Sequence, residues 1–392
     1  MPSEGEDAAV HYDLGKALSG KGDLDGAIKE YREAIRLNPD DPRTHRKLGI
    51  ALGEKENLEG AIAEFREALR LNPNDDNAHY DLGVALYRKG DLDGAIPELR
   101  VAISLQPDFA DGHRGLGLAL SEKGEQDGAI TEYREAIRLN PNYADAHYNL
   151  SAAFGRKGDW DNAIAELLEV LRLIPEDALA HNELAFCLRQ KRDWDGAIVE
   201  CREALRLNPN GVLPHFNLGA ALSEKEDWDG AIAEYRTAIR LWPEYSDAHY
   251  ELGRLLRSRG EIHGAIAEFR EVLRLEPTDA DAHIALGNSF ADNRNTDGAI
   301  AEYREALRLN PSHYGAHHNI GLRLGEKGDW DGAVAEQQEA LRLSPTFDPA
   351  HYSLGYALVQ KAVQEFRSAC ELNPQDQKYR KAYDFLSHGV DK

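Results

Sequence analysis

The sequence is poor in cysteine, methionine and positive charge. Three cysteines and one methionine occur among 392 residues, and 46 Lys and Arg stand against 69 Asp and Glu, which gives a formal net charge of -23. The odd number of cysteines, Cys187, Cys201 and Cys370, at positions where neighbouring segments carry apolar or small residues favours buried thiols over disulfides. The acidity disfavours nucleic acid and anionic membrane surfaces as partners of the chain as a whole.

Long apolar segments are also missing. No run of about 18 apolar residues occurs, so we expect no membrane insertion. The first residues, MPSEGED, lack a basic region followed by an apolar core and do not resemble a secretory signal. Together with the unpaired cysteines, these features predict a cytoplasmic protein.

Motifs of catalysis and of cofactor binding are absent. The sequence contains no GxxxxGK[ST] phosphate loop, no HExxH zinc motif and no CxxC pair. No stretch alternates between apolar and polar residues as a strand does. We therefore expect an all-α chain that is not an enzyme, with no catalytic, cofactor-binding or metal-binding residues.

An internal repeat dominates the sequence. The stretch 22–39, GDLDGAIKEYREAIRLNP, recurs along the chain. Its closing proline returns every 34 residues, at Pro39, Pro73, Pro107, Pro141, Pro175, Pro209, Pro243, Pro277, Pro311 and Pro345. An eleventh proline, Pro374, follows after only 29 residues, so the last copy is five residues shorter. A fixed period of this length predicts a solenoid.

Conserved small residues within the copies predict two packed helices per repeat. When positions 1 to 34 are counted from Ala8, position 8 is Gly, Ser or Ala, and position 20 is Ala in all eleven copies. Small residues at fixed places between larger apolar ones allow two helices to approach closely. Helix A is predicted over positions 2 to 14. Helix B follows an Asp, Asn or Glu cap at position 16 and ends before the proline at position 32.

With a small residue at position 8, Ala at 20, a frequent aromatic at 24, Ala at 27 and Pro at 32, the copies resemble the tetratricopeptide repeat. The resemblance covers about residues 8 to 376. It implies a right-handed superhelical solenoid of antiparallel helix pairs, in which the A helices line a concave groove. It also implies a binding scaffold without chemistry of its own.

The predicted organisation has four parts. A solvated segment, 1–7, precedes ten complete repeats over 8–347, a shortened eleventh repeat over 348–376, and a capping helix and tail over 377–392. The missing GDWDG element between Lys361 and Ala362 leaves two alternatives. Either the last two helices are fused, or residues are missing from the numbering at this point.

The groove is predicted from helix A positions 2, 5, 6, 9, 12 and 13, which lie opposite the small and apolar arc. Half-exposed aromatics beside Arg and Asn are typical of binding hot spots. The best candidate segment is repeats five to seven. The candidate groove residues are Tyr148, Asn149, Leu179, Phe186, Arg189, Leu213, Phe216, Asn217, Tyr250, Arg254 and Arg257. A second, basic and aromatic patch consists of Arg43, Arg46, Lys47, Tyr80, Tyr87 and Arg88.

Eleven of the fifteen histidines occupy position 4. Equivalent sites on packed repeats are separated by about 10 Å, whereas zinc needs ring nitrogens at about 2.0–2.1 Å. We therefore expect these histidines to pack rather than to bind metal, and to make stability depend on pH.

The sequence therefore predicts a protein–protein adaptor that binds a peptide, helix or surface of an unidentified partner protein in the groove. The main alternative is an architectural protein that self-associates, or decorates a polymer, through its outer surface or ends. A less favoured hypothesis is that the chain is the substrate-recruiting part of an enzyme complex.

Overall fold

The computed structural model describes residues 4–390, with side chains described over 7–387. These residues form 22 helices and no strand. The helices are α1 Glu4–Gly20, α2 Leu24–Leu37, α3 Pro42–Glu54, α4 Leu58–Leu71, α5 Asp76–Lys89, α6 Leu92–Leu105, α7 Ala110–Glu122, α8 Gln126–Leu139, α9 Ala144–Arg156, α10 Trp160–Leu173, α11 Ala178–Gln190, α12 Trp194–Leu207, α13 Val212–Glu224, α14 Trp228–Leu241, α15 Ser246–Ser258, α16 Ile262–Leu275, α17 Ala280–Asp292, α18 Thr296–Leu309, α19 Tyr314–Glu326, α20 Trp330–Leu343, α21 Asp348–Leu372 and α22 Gln377–Val390.

Up to α20 the odd-numbered helices are the A helices and the even-numbered helices are the B helices of consecutive hairpins. The chain divides into two compact units, one with α1–α12 up to Asn208 and one with α13–α22 from Pro209. Within each unit, every B helix also packs against the A helix of the following repeat. The all-α solenoid of helix pairs is thereby confirmed. Helix α1 begins at Glu4, within the segment 1–7 that we expect to precede the repeats.

Close approach between helices A and B explains the small residues. The alanines at position 20 are at most 2% exposed in the ten complete repeats. A Cβ atom placed on Gly117, at position 8, would lie 2.5 Å from the ring of Tyr133, at position 24. The same contact joins Gly287 and Tyr303 at 2.6 Å. An aromatic side chain thus fills the space that the missing Cβ leaves, and this pair sets the distance between the two helices.

The predicted caps of helix B form where the side chain is short. Asp159 accepts a hydrogen bond from the backbone nitrogen of Asn162, and Asp227 accepts one from Gly230. Glu125 and Glu261, at the same position in their repeats, make no side-chain cap bond. Their extra methylene group explains the difference, since Asp, Asn, Ser and Thr are the preferred capping residues.

The turn between helices A and B requires a residue with positive φ. Glycine supplies it in six repeats, including Gly260 at φ 79°, but Glu226 adopts φ 62° at the equivalent place.

Because a side chain costs about 1–2 kcal/mol in this region, we expect Glu226→Gly to raise the free energy of unfolding by about 1 kcal/mol. Gly260→Ala should lower it by a similar amount. Chemical denaturation followed by circular dichroism measures both changes. A loss of stability in Glu226→Gly would show that the positive φ of Glu226 does not strain the folded protein.

The eleventh copy departs from the hairpin design. Helix α21 runs without interruption through Lys361 and Ala362 over 25 residues, so the structure shows the fused alternative. Its second half therefore continues away from the first half instead of folding back on it, and α22 packs against α21. Cys370, expected to be buried, is only half-buried because of this extension, whereas Cys187 and Cys201 are buried.

Candidate partner-binding face

We use the term A-helix face for the surface that helix A of each repeat presents at positions 2, 5, 6, 9, 12 and 13. In the first unit, Leu179 is 54% exposed on this face. Phe186 is half-buried, since its ring lies edge-on to Trp160 at 5.9 Å and beneath the guanidinium of Arg189 at 5.7 Å. Tyr148 and Asn149 are also half-buried. The exposed apolar contact area of this group therefore comes mainly from Leu179.

In the second unit, Leu213 is 45% exposed on the A-helix face. Phe216 is half-buried between two tyrosine rings, with centroids 5.7 Å from Tyr235 and 5.1 Å from Tyr245. The ring of Tyr250, which is half-buried, packs edge-on against a buried phenylalanine. Asn217 is only 5% exposed. The aromatic side chains of this group thus pack inside the unit with part of their surface and contribute only the remainder to the A-helix face.

The arginines of the second unit are paired with carboxylates. Arg254 donates to Glu251 at 2.9 Å, and Arg257 donates to Asp292 at 2.7 Å. Both pairs are substantially exposed, so each contributes little to stability. Their pairing leaves this part of the A-helix face close to electrically neutral. A partner bound here would compete with internal carboxylates for the two guanidinium groups.

The second predicted patch is similarly neutralised. Arg46 donates to Asp81 at 2.6 Å, and Arg43 donates to Asp41 at 3.1 Å. Burial raises the pKa of the Asp81 carboxyl, although the charge and hydrogen bond of Arg46 and the charge of Lys47 oppose that rise. The remaining members are Tyr80, which packs edge-on against Phe109; Tyr87, which is half-buried; and Arg88, which donates to the carbonyl of Gly53 at 3.1 Å.

A cavity of about 280 Å³ opens between α19, α20 and α21 in the second unit. We call it the repeat-ten pocket and define it by Leu322, Arg323, Trp330, Gln337, Tyr352 and Tyr356. Gln337 occupies position 24, where most other repeats carry a Tyr or Phe ring. Its side chain lies over Gly321 as the rings lie over their glycines, with the amide nitrogen 2.5 Å from a Cβ placed there, and it hydrogen bonds with His318. Gln337 lines the pocket together with Gly325, at position 12, which has no side chain.

Aromatic side chains form one wall of the repeat-ten pocket. The ring of Trp330 meets that of Tyr356 edge-on at 6.0 Å, and Tyr352 is 79% exposed at the rim. The signal that could have identified the pocket was the glutamine at a position that is otherwise apolar or aromatic, next to a glycine at position 12.

Two ionisable groups near the predicted site, the Cys187 thiol and the Tyr148 hydroxyl, have pKa values that burial raises. Burial raises the pKa of the Cys187 thiol to about 11, with a smaller contribution from the Glu183 carboxylate. Burial, together with the nearby charges of Glu183 and Asp177, raises the pKa of Tyr148 to about 12. The thiol of Cys187 is therefore protonated at neutral pH and is a poor nucleophile.

The histidines at position 4 form a repeated hydrogen-bond pattern. In ten repeats the Nδ1 atom lies 2.5–2.7 Å from the Oε2 atom of the glutamate at position 23 of the same repeat. In several repeats the Nε2 atom faces the carbonyl of the proline that ends the previous repeat, as in His249 with Pro243 at 3.0 Å. Both nitrogens of His249 thus face acceptors, and only the imidazolium donates to both. Within residues 4–390, no group of three His, Cys, Asp or Glu is placed to hold a metal ion.

Burial lowers the pKa of His249, but hydrogen bonds to Glu268 and to the Pro243 carbonyl outweigh it, so the net shift is upward. A raised pKa in the folded state stabilises the protein fully below the unfolded pKa of about 6.5 and loses that effect as the pH rises through the folded pKa. We expect the stability difference between wild type and His249→Gln to shrink from about pH 6 to about pH 8. Thermal unfolding of both proteins over this pH range measures the stability difference. A difference that does not change with pH would contradict a raised pKa of His249 in the folded state.

The helix hairpins and the A-helix face define an all-helical repeat protein of the solenoid class. The family model described as tetratricopeptide repeat matches residues 46–110, 148–212, 216–280, 254–314 and 284–346. A second model, described as TPR repeat, matches residues 15–56 and 117–158. These matches span more than half of the sequence, and the chain belongs to the tetratricopeptide repeat family.

Solved structures of other proteins resemble this chain. A tetratricopeptide repeat protein from Parabacteroides merdae ATCC 43184 is 15% identical with a TM-score of 0.51, covering 64% of this chain and 98% of its own. A MamA protein is 30% identical with a TM-score of 0.40, covering 43% of this chain and 92% of its own. Yeast Tom70 is 17% identical with a TM-score of 0.40, covering 97% and 95%. The first likeness supports the fold alone. A comparison with curated proteins yielded no match.

Helices long and apolar enough to cross a membrane are not found among the described residues.

Proposed function

We propose that this protein is a non-catalytic scaffold that binds a peptide, a helix or a surface of a partner protein along its A-helix face. The observation that carries the proposal is the repeat-ten pocket, an apolar cavity that opens on this face beside the exposed ring of Tyr352. A concave site with an aromatic wall and a few polar groups is the usual form of a binding pocket. Family membership supports the same role, since repeats of this kind typically serve as interaction scaffolds.

The pocket also indicates what kind of partner residue it takes. Its volume is about 280 Å³, and Trp330 and Tyr356 supply apolar contact surface. At the rim, Arg323 is paired with Glu326 at 2.8 Å, so the entrance is polar without a net charge. A partner segment that presents one bulky apolar side chain among uncharged polar residues fits this arrangement.

Each unit, taken by itself, also has an exposed leucine on its A-helix face. Leu179 and Leu213 are about half exposed although they are aliphatic, at 54% and 45%. Each leucine lies on the same helix as a half-buried aromatic, Leu179 with Phe186 on α11 and Leu213 with Phe216 on α13. Buried anchors surrounded by contacts that exclude water are typical of hot spots.

Matched surface variants test the proposed face. A peptide selected from a displayed library on the full-length protein is the probe, and its Kd is measured by calorimetry. Leu179→Glu and Leu213→Glu introduce a charge on the A-helix face, whereas Val199→Glu introduces the same charge at a 60% exposed site on helix B. We expect at least one of the first two variants to weaken binding about tenfold or more, while Val199→Glu leaves the Kd unchanged. Loss of binding only in Val199→Glu would place the site on the outer surface.

A second role, self-association through the C-terminal end, is favoured by the exposed apolar side chains of α21, among them Leu358 at 47% and Leu372 at 87%.

A further inference from the structure

We propose that two copies of this chain pair through α21, each supplying the helix B that the other copy lacks. In the complete repeats, helix A and helix B of one hairpin cover each other. The five-residue shortening fuses the two halves of α21 into one helix, so they cannot meet within a chain. Short or strained hinges of this kind favour exchange of an element between two identical chains.

The first half of α21 retains the receiving surface of a helix A without its cover. Nothing lies within 4 Å of a Cβ placed on Gly355, whereas the equivalent Gly287 faces the ring of Tyr303 at 2.6 Å. Leu358 is 47% exposed, and its counterparts Leu120 and Leu256 are 3% and 2% exposed. The surface that should receive a helix B is therefore open.

The second half of α21 retains the inserting surface of a helix B. Phe366 takes position 24, where its equivalents Phe65 and Phe269 are 3% and 0% exposed, yet Phe366 is only half-buried. Ala362, at position 20, is half-buried as well, although its ten counterparts are at most 2% exposed. Residual exposure at these positions means that α22, which packs against α21, does not replace the missing helix A.

The two surfaces lie on one side of the fused helix. At about 100° per residue, His351, Gly355, Leu358, Val359, Ala362, Phe366 and Ala369 fall within an arc of about 100°. Ala350 and Ala357, which are 0% and 3% exposed, face the opposite direction, toward the body of the unit. The stripe is therefore continuous along α21 and directed away from its own repeats.

Antiparallel pairing of two such helices satisfies every contact at once. Within one chain Gly355 and Phe366 are separated by eleven residues, or about 16 Å along the helix axis. Across a two-fold axis, Gly355 of each copy lies opposite Phe366 of the other, and Val359 lies opposite Ala362. The same register holds inside a complete repeat, where a Cβ on Gly53 would lie 3.7 Å from the Cβ of Ala61.

A polar pair fits the same register. In the ten complete repeats the histidine at position 4 is hydrogen bonded to the glutamate at position 23. In the eleventh copy, His351 bonds the Pro345 carbonyl at 2.9 Å, and no glutamate among the described residues bonds its ring. Glu365, at position 23, is exposed. In the exchanged dimer, His351 of each copy would bond Glu365 of the other copy. The histidine–glutamate pair would therefore form twice, once on each side of the two-fold axis.

Sedimentation of the full-length protein over a concentration series tests the exchange. We expect wild type to sediment at twice the mass of one chain. Insertion of Gly-Asp-Trp-Asp-Gly between Lys361 and Ala362, the element that repeat ten carries at 328–332, should let helix B fold back and give a monomer. A monomeric wild type, or an insertion variant that is still dimeric, would overturn the proposal.

Point variants keep the test decisive if the insertion impairs folding. Leu358→Glu places a charge in the centre of the stripe and should weaken dimerisation at least tenfold. Gln364→Glu, at an exposed site on the opposite side of the same helix, should leave dimerisation unchanged. Equal dimerisation in both variants would overturn the exchange. Peptide binding at the repeat-ten pocket is measured separately, so failure of dimerisation and failure of the proposed function remain distinguishable.

Discussion

Replacing Phe269 by alanine is expected to lower the free energy of unfolding of the second unit by about 3–5 kcal/mol. The ring is 0% exposed, lies against Gly253 and meets Tyr250 edge-on at 5.6 Å. Truncation removes buried apolar surface and leaves a cavity that the closely spaced helices cannot collapse into. Because the repeats stabilise one another through neighbouring interfaces, the loss should be visible in the whole unit.

Chemical denaturation followed by circular dichroism measures this loss, with Phe385→Ala as the control. Phe385 is 80% exposed on α22, so its truncation should change the free energy of unfolding by no more than about 0.5 kcal/mol. Similar losses in the two variants would mean that the aromatic at position 24 does not hold helices A and B together.

Replacing Gln337 by phenylalanine is expected to weaken binding of an A-helix-face peptide by about 30-fold or more, the effect of removing a hot spot. Gln337 lines the repeat-ten pocket, and a phenylalanine ring is bulkier than the glutamine side chain that it replaces, so it would fill part of the pocket. Less space would then remain for a partner side chain. Stability should be kept, because the substitution returns position 24 to the residue type that packs against glycine elsewhere in the chain.

Calorimetric titration of the selected peptide against wild type and Gln337→Phe measures the effect, and thermal unfolding verifies that the variant is folded. Gln338→Phe, at the adjacent exposed position on the same helix, is the matched control and should bind as wild type does. Unchanged affinity in a folded Gln337→Phe protein would exclude the pocket as the anchor of the partner.

Much of the fold could be predicted from the sequence because each repeat carries the same physical signals. Alanine at position 20 and glycine at position 8 indicated close helix packing, and Tyr133 and Gly117 show it. The fused α21 followed from the missing turn as one of two alternatives.

The candidate site was harder to predict, because side-chain exposure depends on partners far away in sequence. Phe186 and Phe216 were predicted to be groove residues, but Trp160 and the rings of Tyr235 and Tyr245 cover much of their surface. Periodicity assigns a residue to a face without stating what fills the space beside it. For the same reason the repeat-ten pocket, which Gln337 lines, was not predicted.

Site-specific photo-crosslinking is the most direct test of whether a partner binds along the A-helix face. A photoreactive phenylalanine is placed at Tyr352, at the rim of the repeat-ten pocket, or at Val199 on helix B; both side chains are well exposed, at 79% and 60%. We expect a crosslink to the selected peptide from position 352 and none from position 199. A crosslink from position 199 alone would contradict it and would place recognition on the outer surface.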